Sequence, residues 1–251
     1  MAWVETASNG FSARHESGDQ EGAVEILGVL DAARTRLEGV FQRPVEGDIA
    51  VVIHGSMLAL GLAQPYLPLA RMATAPAGRR YLVGWFTRNE LHVLSPTALR
   101  RRASSVPGSR EMLELAPAAL YAHLTVGANN PDLPPPFTPA SFRKQLQWGW
   151  LAHGAAQYFS GQIKHVRPAI ARRLHEGGTP AFPPGVRDAP LLGGSVFDLL
   201  VSEHGARAAV SLATLPLPAG GADVALGKAF RGRSVRDTEG VWRAHLSRLA
   251  T

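Results

Sequence analysis

Apolar residues recur at three- and four-residue steps between Ala23 and Phe41. Ala23, Ile26, Leu27, Leu30, Ala33, Leu37, Val40 and Phe41 fall in one stripe down a helix, which Pro44 and Gly47 close. Ahead of it, residues 3–15 alternate loosely, with Phe11-Ser12-Ala13-Arg14-His15 as a first strand and Glu16-Ser17-Gly18-Asp19 as a turn. After it, Asp48 to His54 is a short β-branched run between turn residues, the pattern of a buried strand. Ser56 to Gln64 reads as a short helix stopped by Pro65 and Pro68, and Ala75-Pro76-Ala77-Gly78 as a loop. Arg79 to Thr87 and Glu90 to Leu94 read as two strands joined at Arg88-Asn89. Ser95-Pro96-Thr97 opens a helix with Ser95 as its cap and Pro96 in its first turn.

From Ser109 the strand pattern gives way to helical spacing. Ser109 to Gly127 is helical, kinked or restarted at Pro117. Asn129 to Pro136 is a stiff proline loop, residues 139–161 a second long helix, and 164–175 a third. Gly177 to Gly194, rich in glycine and proline, reads as a long loop or lid. Ser195 to His204, Ala206 to Leu215, Ala222 to Phe230 and Asp237 to Leu249 complete the helices. Strands thus precede a purely helical half, which predicts an α+β fold with a small N-terminal mixed sheet. We expect one domain over 1–251, comprising an α/β subdomain (1–105) and a helical subdomain (106–251).

Composition narrows the classes. The hydrophobic fraction of 45% and charged fraction of 18% suit a packed core and not a disordered chain. No apolar run is long enough to span a bilayer, so no transmembrane segment is expected. The start, Met1-Ala2-Trp3-Val4-Glu5-Thr6, lacks the basic-then-apolar pattern of a secretory leader, and a cytoplasmic location is expected. With no cysteine there is no disulfide framework, and any metal would rest on His, Asp or Glu. The net charge of +6 comes from small separate groups, Arg79-Arg80, Arg100-Arg101-Arg102 and Arg172-Arg173. No nucleic-acid motif accompanies them, so nucleic acid is not an expected partner. A basic face docking on nucleic acid or membrane would need these groups on one side of the molecule.

Two stretches carry candidate chemistry, Ala116 to Leu124 and Trp148 to Tyr158. A helical zinc peptidase needs two His one turn apart and a Glu directly after the first, so that both imidazoles grip one metal beside a proton-accepting carboxylate. With His123 in the second His position, Ala119 takes the first and Leu120 the place of the base.

Trp150-Leu151-Ala152-His153-Gly154-Ala155-Ala156-Gln157-Tyr158 resembles the W-L-x-E-G-x-A-x-Y segment of gluzincin-clan zinc metallopeptidases, in particular their small peptidase MA-like domains. The likeness extends over nearly the whole chain. Phe11 to His15 with Gly18-Asp19, Ile49 to His54, Leu113 to Val126 in the place of the HExxH helix, Val196 to Leu200 before His204-Gly205, and Glu239 to Arg243 before Leu246 all have counterparts. The resemblance implies a zincin fold and a cleft between the 116–127 and 139–161 helices, facing the edge of strand 89–94. It makes Tyr121, His123, Trp150, His153, Gln157 and Tyr158 the cleft residues, and places His153 where the family has its third zinc ligand, a Glu. Of the catalytic positions Ala119, Leu120, His123 and His153, two are aliphatic. The expectation is therefore a non-catalytic protein, a pseudo-metallopeptidase with no cofactor, reusing the cleft for a peptide, small ligand or protein partner. The alternative is a zinc-dependent hydrolase rebuilt on His123 and His153, with a third ligand from His54, His92 or Glu114. Beside both stands a plainer reading. His123 is then a buried histidine hydrogen-bonded to His153 or a backbone carbonyl, Trp148 and Trp150 are core or cleft-wall aromatics, and Tyr158 is packing.

Overall fold

The computed structural model describes residues 2–133, 135 and 138–250. The chain opens with a hairpin. β1 (Trp3–Ser8) and β2 (Phe11–Glu16) pair antiparallel, Ser8 opposite Phe11, across Asn9-Gly10, and Gly10 has a φ of +91°. The first strand expected at Phe11–His15 is therefore β2, and a further strand, β1, precedes it. Asn-Gly at the tip is the residue pair that tight hairpin turns favour. α1 (Gln20–Glu38) follows, and its apolar stripe from Ala23 to Leu37 is buried.

β3 (Ile49–His54) then runs parallel to β2, as expected for a strand reached through a helical crossover. α2 (Met57–Ala63) is capped by the Ser56 hydroxyl, which accepts from the Ala59 N–H. α2 stops before Pro65, as expected, but Pro68 does not end helical structure. Pro65 precedes α3 (Tyr66–Ala73), and Pro76 opens the short α4 (Pro76–Arg79) where a loop was expected. Proline has no N–H to lose in a first turn, and its fixed φ suits that position. The strand expected over Arg79–Thr87 shrinks to β4 (Gly84–Phe86), paired antiparallel with β5 (Glu90–Leu94). α5 (Pro96–Arg102) starts under the Ser95 cap, whose side chain accepts from the Ala98 N–H.

The sheet order is β1-β2-β3-β5-β4, mixed, with β2, β3 and β5 parallel. This corrects one expectation about the site. The 89–94 strand lies inside the sheet and has no free edge, and the edge on that side is β4.

In the helical half, α6 (Ser109–Glu114) and α7 (Ala116–Asn129) are separate, with Pro117 in the first turn of α7. The helix expected over 139–161 divides at Trp148 into α8 (Pro139–Gln147) and α9 (Gly149–Ser160). A 3-10 turn (Gln162–His165) leads to α10 (Arg167–His175). α11 (Ala189–His204) begins six residues before the expected Ser195, so only the first part of the 177–194 stretch is loop. α12 (Ala206–Thr214), α13 (Gly221–Ala229) and α14 (Val235–Ala250) follow.

The protein is thus α+β, a five-stranded mixed sheet with a helical second half. α7 lies between the sheet and the other helices, packing on β4 and β5, on α1 and on α9, while α2 packs on the opposite side against β3 and β5. Buried apolar residues from Phe11 to Leu249 form one continuous cluster through both halves. No helix among the described residues is long and apolar enough to cross a membrane.

Candidate functional site between two helices and the sheet edge

α7 is buried on almost every side, so helical spacing alone does not say which residue faces what. The sheet decides it. Gly84 and Phe86 of β4 stand opposite Val93 and Leu91 of β5 and turn toward α7. A Cβ on Gly84 would lie 2.5 Å from a methyl of Leu120 and 2.7 Å from the His92 carbonyl oxygen, so only glycine lets β4 lie this close to α7. One turn along, the Phe86 ring stacks on the His123 ring, centroids 4.6 Å apart and planes 15° apart.

α9 supplies the opposite wall, and its position is set by α11. A Cβ on Gly154 would meet the Gly193 carbonyl oxygen at 2.6 Å, and one on Gly193 would meet the Trp150 carbonyl oxygen at 2.8 Å. The two glycines let the helix backbones nearly touch. Gln157 locks the crossing, its amide nitrogen donating to the Pro190 carbonyl and its amide oxygen accepting from the Gly194 N–H. The glycine and glutamine of the W-L-x-x-G-x-A-x-Y segment therefore have definite packing duties here.

Between these walls is a cavity of about 70 Å3 lined by the 81–86 segment, Ala116, Ala119, Leu120, His123, His153, Ala156, Gln157, Gln162 and Pro190. All four positions that the peptidase template singles out, Ala119, Leu120, His123 and His153, border it. Gln157, also expected in the cleft, borders it as well, and the other three expected cleft residues fall elsewhere. Tyr121 points to the other side of α7, its ring edge-on to Phe11 at 5.5 Å. Trp150 is a core residue beside Trp148, its indole N–H buried without a partner. Tyr158 stacks on Phe197 and borders a separate depression with Val40 and Arg207. Sequence reasoning missed Phe86, the side chain that covers His123. The alternation Gly84-Trp85-Phe86 was the signal, since it sends Phe86 and Trp85 to opposite faces of the sheet.

His123 and His153 meet edge to face, centroids 5.1 Å apart and planes 89° apart. Among the described residues neither hydrogen-bonds the other or a backbone carbonyl, which corrects the hydrogen-bonded arrangement weighed above. Burial holds the His123 imidazole well below its ordinary pKa, and the neighbouring His153 pushes it the same way. Burial alone pushes His153 down to about 4. Both rings are thus neutral at pH 7, each with one N–H to donate and one nitrogen lone pair to accept or ligate.

The other ligand candidates are not at this cavity. His54 and His92 lie on the opposite side of the sheet, where α2 packs, stacked 5.3 Å apart with a 3.1 Å contact from His54 Nε2 to His92 Nδ1. Gln64 and Glu90 both reach His92 Nε2. Burial first, then the His92 charge, lowers the His54 pKa to about 4. Glu114 pairs with Arg110 on α6. The titratable nitrogens at the cavity are two imidazoles, and the Gln162 amide donates to the Met112 carbonyl. Gln157 is engaged through both ends of its amide, and no carboxylate lines the walls. Among the described residues no group of three His, Asp or Glu is placed to hold a metal. The residues present do not fit a catalytic zinc, which takes three protein ligands, and Leu120 cannot take a proton from water.

No family model matches the chain, and neither the curated proteins nor the solved structures contain a match to it.

Proposed function

We propose that the chain is a non-catalytic protein on a metallopeptidase-like plan, and that the cavity between α7, α9 and β4 binds a small neutral polar ligand or a partner's side chain of that kind. One observation carries the reading. Two neutral imidazoles line a cavity in which the ligand and base positions of the template are the methyl of Ala119 and the side chain of Leu120. Such rings hydrogen-bond an amide or hydroxyl without needing its charge. The order of strands before helices and the gathering of Ala119, Leu120, His123 and His153 at one place support the zincin-like plan. Phe86 stacked on His123 and β4 packed on Leu120 narrow the space in which an extended peptide would lie, and this favours a small ligand. Zinc hydrolysis, the alternative, lacks a third ligand and a base.

The test is elemental analysis of untagged protein beside histidine-labelled NMR. The expected protein carries no stoichiometric zinc, and added zinc leaves its Tm unchanged. Titration with acetamide moves the His123 and His153 ring signals together and saturably. About one zinc per chain, lost in the His123→Ala, His153→Ala double variant, would overturn the non-catalytic reading. Ring signals that stay still up to molar acetamide would sink the binding reading.

A further inference from the structure

The three arginine groups that are separate in sequence meet in the fold. Arg80 donates to the backbone carbonyl of Arg102 at the end of α5. Arg80 and Arg172 border one cavity of about 140 Å3, together with Tyr81, Ser104, Val106 and Ala169. Arg71 lies behind them, donating to the Arg79 and Leu82 carbonyls.

Other members of these groups are neutralised. Arg100 pairs with Glu25, and the buried Arg173 makes a two-pronged pair with Asp188 at 2.6 and 3.0 Å. Arg71, Arg79, Arg80, Arg102 and Arg172 make no ion pair among the described residues. The Arg102 Nε is buried with no hydrogen-bond partner. Burial and then the Arg102 and Arg79 charges bring the Arg71 pKa down to about 10, and burial and then the Arg80 charge lower that of Arg102. No carboxylate acts on either. Guanidiniums crowded together and without a counter-charge are costly to the fold, and Arg80, which belongs to this crowd, opens with Arg172 onto the cavity, where an anion would lessen that cost.

We infer that the cavity between α4, the end of α5 and α10 is a binding site for the phosphate group of a small phosphate monoester. Arg80 and Arg172 are the charged residues at the cavity, and Tyr81 and Ser104 stand beside them on its wall. Guanidinium is the side chain best matched to phosphate, because its planar fork gives two parallel N–H bonds. Val106, Ala169 and the 76–77 segment make the rest of the wall apolar, which suits a compact organic body on the ester and not a bare ion. The site shares Tyr81 with the histidine-lined cavity but neither of its histidines, and stands or falls independently of it.

Calorimetric titration of the whole chain with inorganic phosphate and phenyl phosphate, at fixed ionic strength with chloride as reference, decides the matter. One saturable site is expected, with phenyl phosphate the tighter ligand and a rise in Tm for both. Arg80→Gln should weaken binding at least about tenfold, the loss of a charged hydrogen-bonding partner. It also removes a bond to the α5 terminus, so Arg172→Gln, changed at an exposed position, is the second variant and should show a similar loss with an unaltered Tm in chloride. The His123→Ala, His153→Ala double variant should bind as the parent does. Co-sedimentation with phosphatidic acid vesicles separates the two sources of a phosphate group, and phenyl phosphate should displace any bound protein. Binding to vesicles that phenyl phosphate does not displace, no preference over chloride, or parent-like affinity in Arg172→Gln would each overturn the inference.

Discussion

Replacing Gly154 by alanine is expected to destabilise the protein by about 3 kcal/mol, the upper part of the range for overpacking a tight core, which for a chain of this size is a fall in Tm of roughly 6–12 °C. The added carbon would sit 2.6 Å from the Gly193 carbonyl oxygen, 2.8 Å from its carbon and 2.9 Å from the Phe197 ring. Two of these three atoms are backbone, so no rotamer change relieves the clash. α9 and α11 must separate, and the Gln157 bonds to Pro190 and Gly194 lengthen with them. In an exposed helix the same substitution stabilises by up to about 1 kcal/mol, since glycine gives up more backbone freedom on folding. Gly240 in α14 is exposed with nothing within 4 Å of its would-be Cβ, so Gly240→Ala measures that baseline. Urea unfolding of both variants gives the comparison. If Gly154→Ala were as stable as Gly240→Ala, the close α9–α11 crossing would be wrong, and the placement of His153 with it.

That crossing shows why parts of the chain were hard to read. Gly193 and Gly194 look like loop residues, and Pro190 strengthens the impression. In the fold Pro190 sits in the first turn of α11, and the two glycines lie where α9 presses on it. Glycine there answers a tertiary demand that local pattern does not record. Pro68 and Pro76 misled in a related way, since a proline that ends one helix and a proline that starts the next look alike in sequence. Where one face is apolar and the other polar, as in α1, or where a β-branched run is bounded by turns, as in β3, periodicity was enough.

The site divides along the same line. His123 and His153 were findable because the chain resembles a zinc-peptidase pattern, which put His153 in the third-ligand place and His123 in the second His position of the template. Which face of α7 they shared, and that Tyr121 and Tyr158 turned away, depended on contacts distant in sequence. So did the lid over His123, because Phe86 reaches it only by virtue of β4 being the sheet's edge. An internal β5 and a glycine at position 84 together close a space that a metallopeptidase-like reading of the helices leaves open.

Lowering the pH from 7 to 5 is expected to remove on the order of 4 kcal/mol of stability through His54 and His153 alone, about 2 kcal/mol each. Both have folded pKa values of about 4, against an ordinary value of 6.5. Above pH 6.5 the folded and unfolded chains carry these rings neutral, and the stability they contribute is fully present. As pH falls through 6.5 the unfolded rings take up protons while the buried ones do not, so the unfolded state is favoured progressively until about pH 4. His123, held below its ordinary value by burial and by His153, acts in the same direction. Carboxylates contribute chiefly below pH 5, so the window from 7 to 5 isolates the imidazoles. Urea midpoints at half-unit steps give the slope, and His153→Leu should flatten it by one group's share. A stability independent of pH across this window would mean that the rings are solvated, and would remove the basis for a cavity of neutral donors. A slope that His153→Leu reduces would instead place at this cavity an imidazole kept uncharged at neutral pH, the condition on which hydrogen bonding to an uncharged ligand depends.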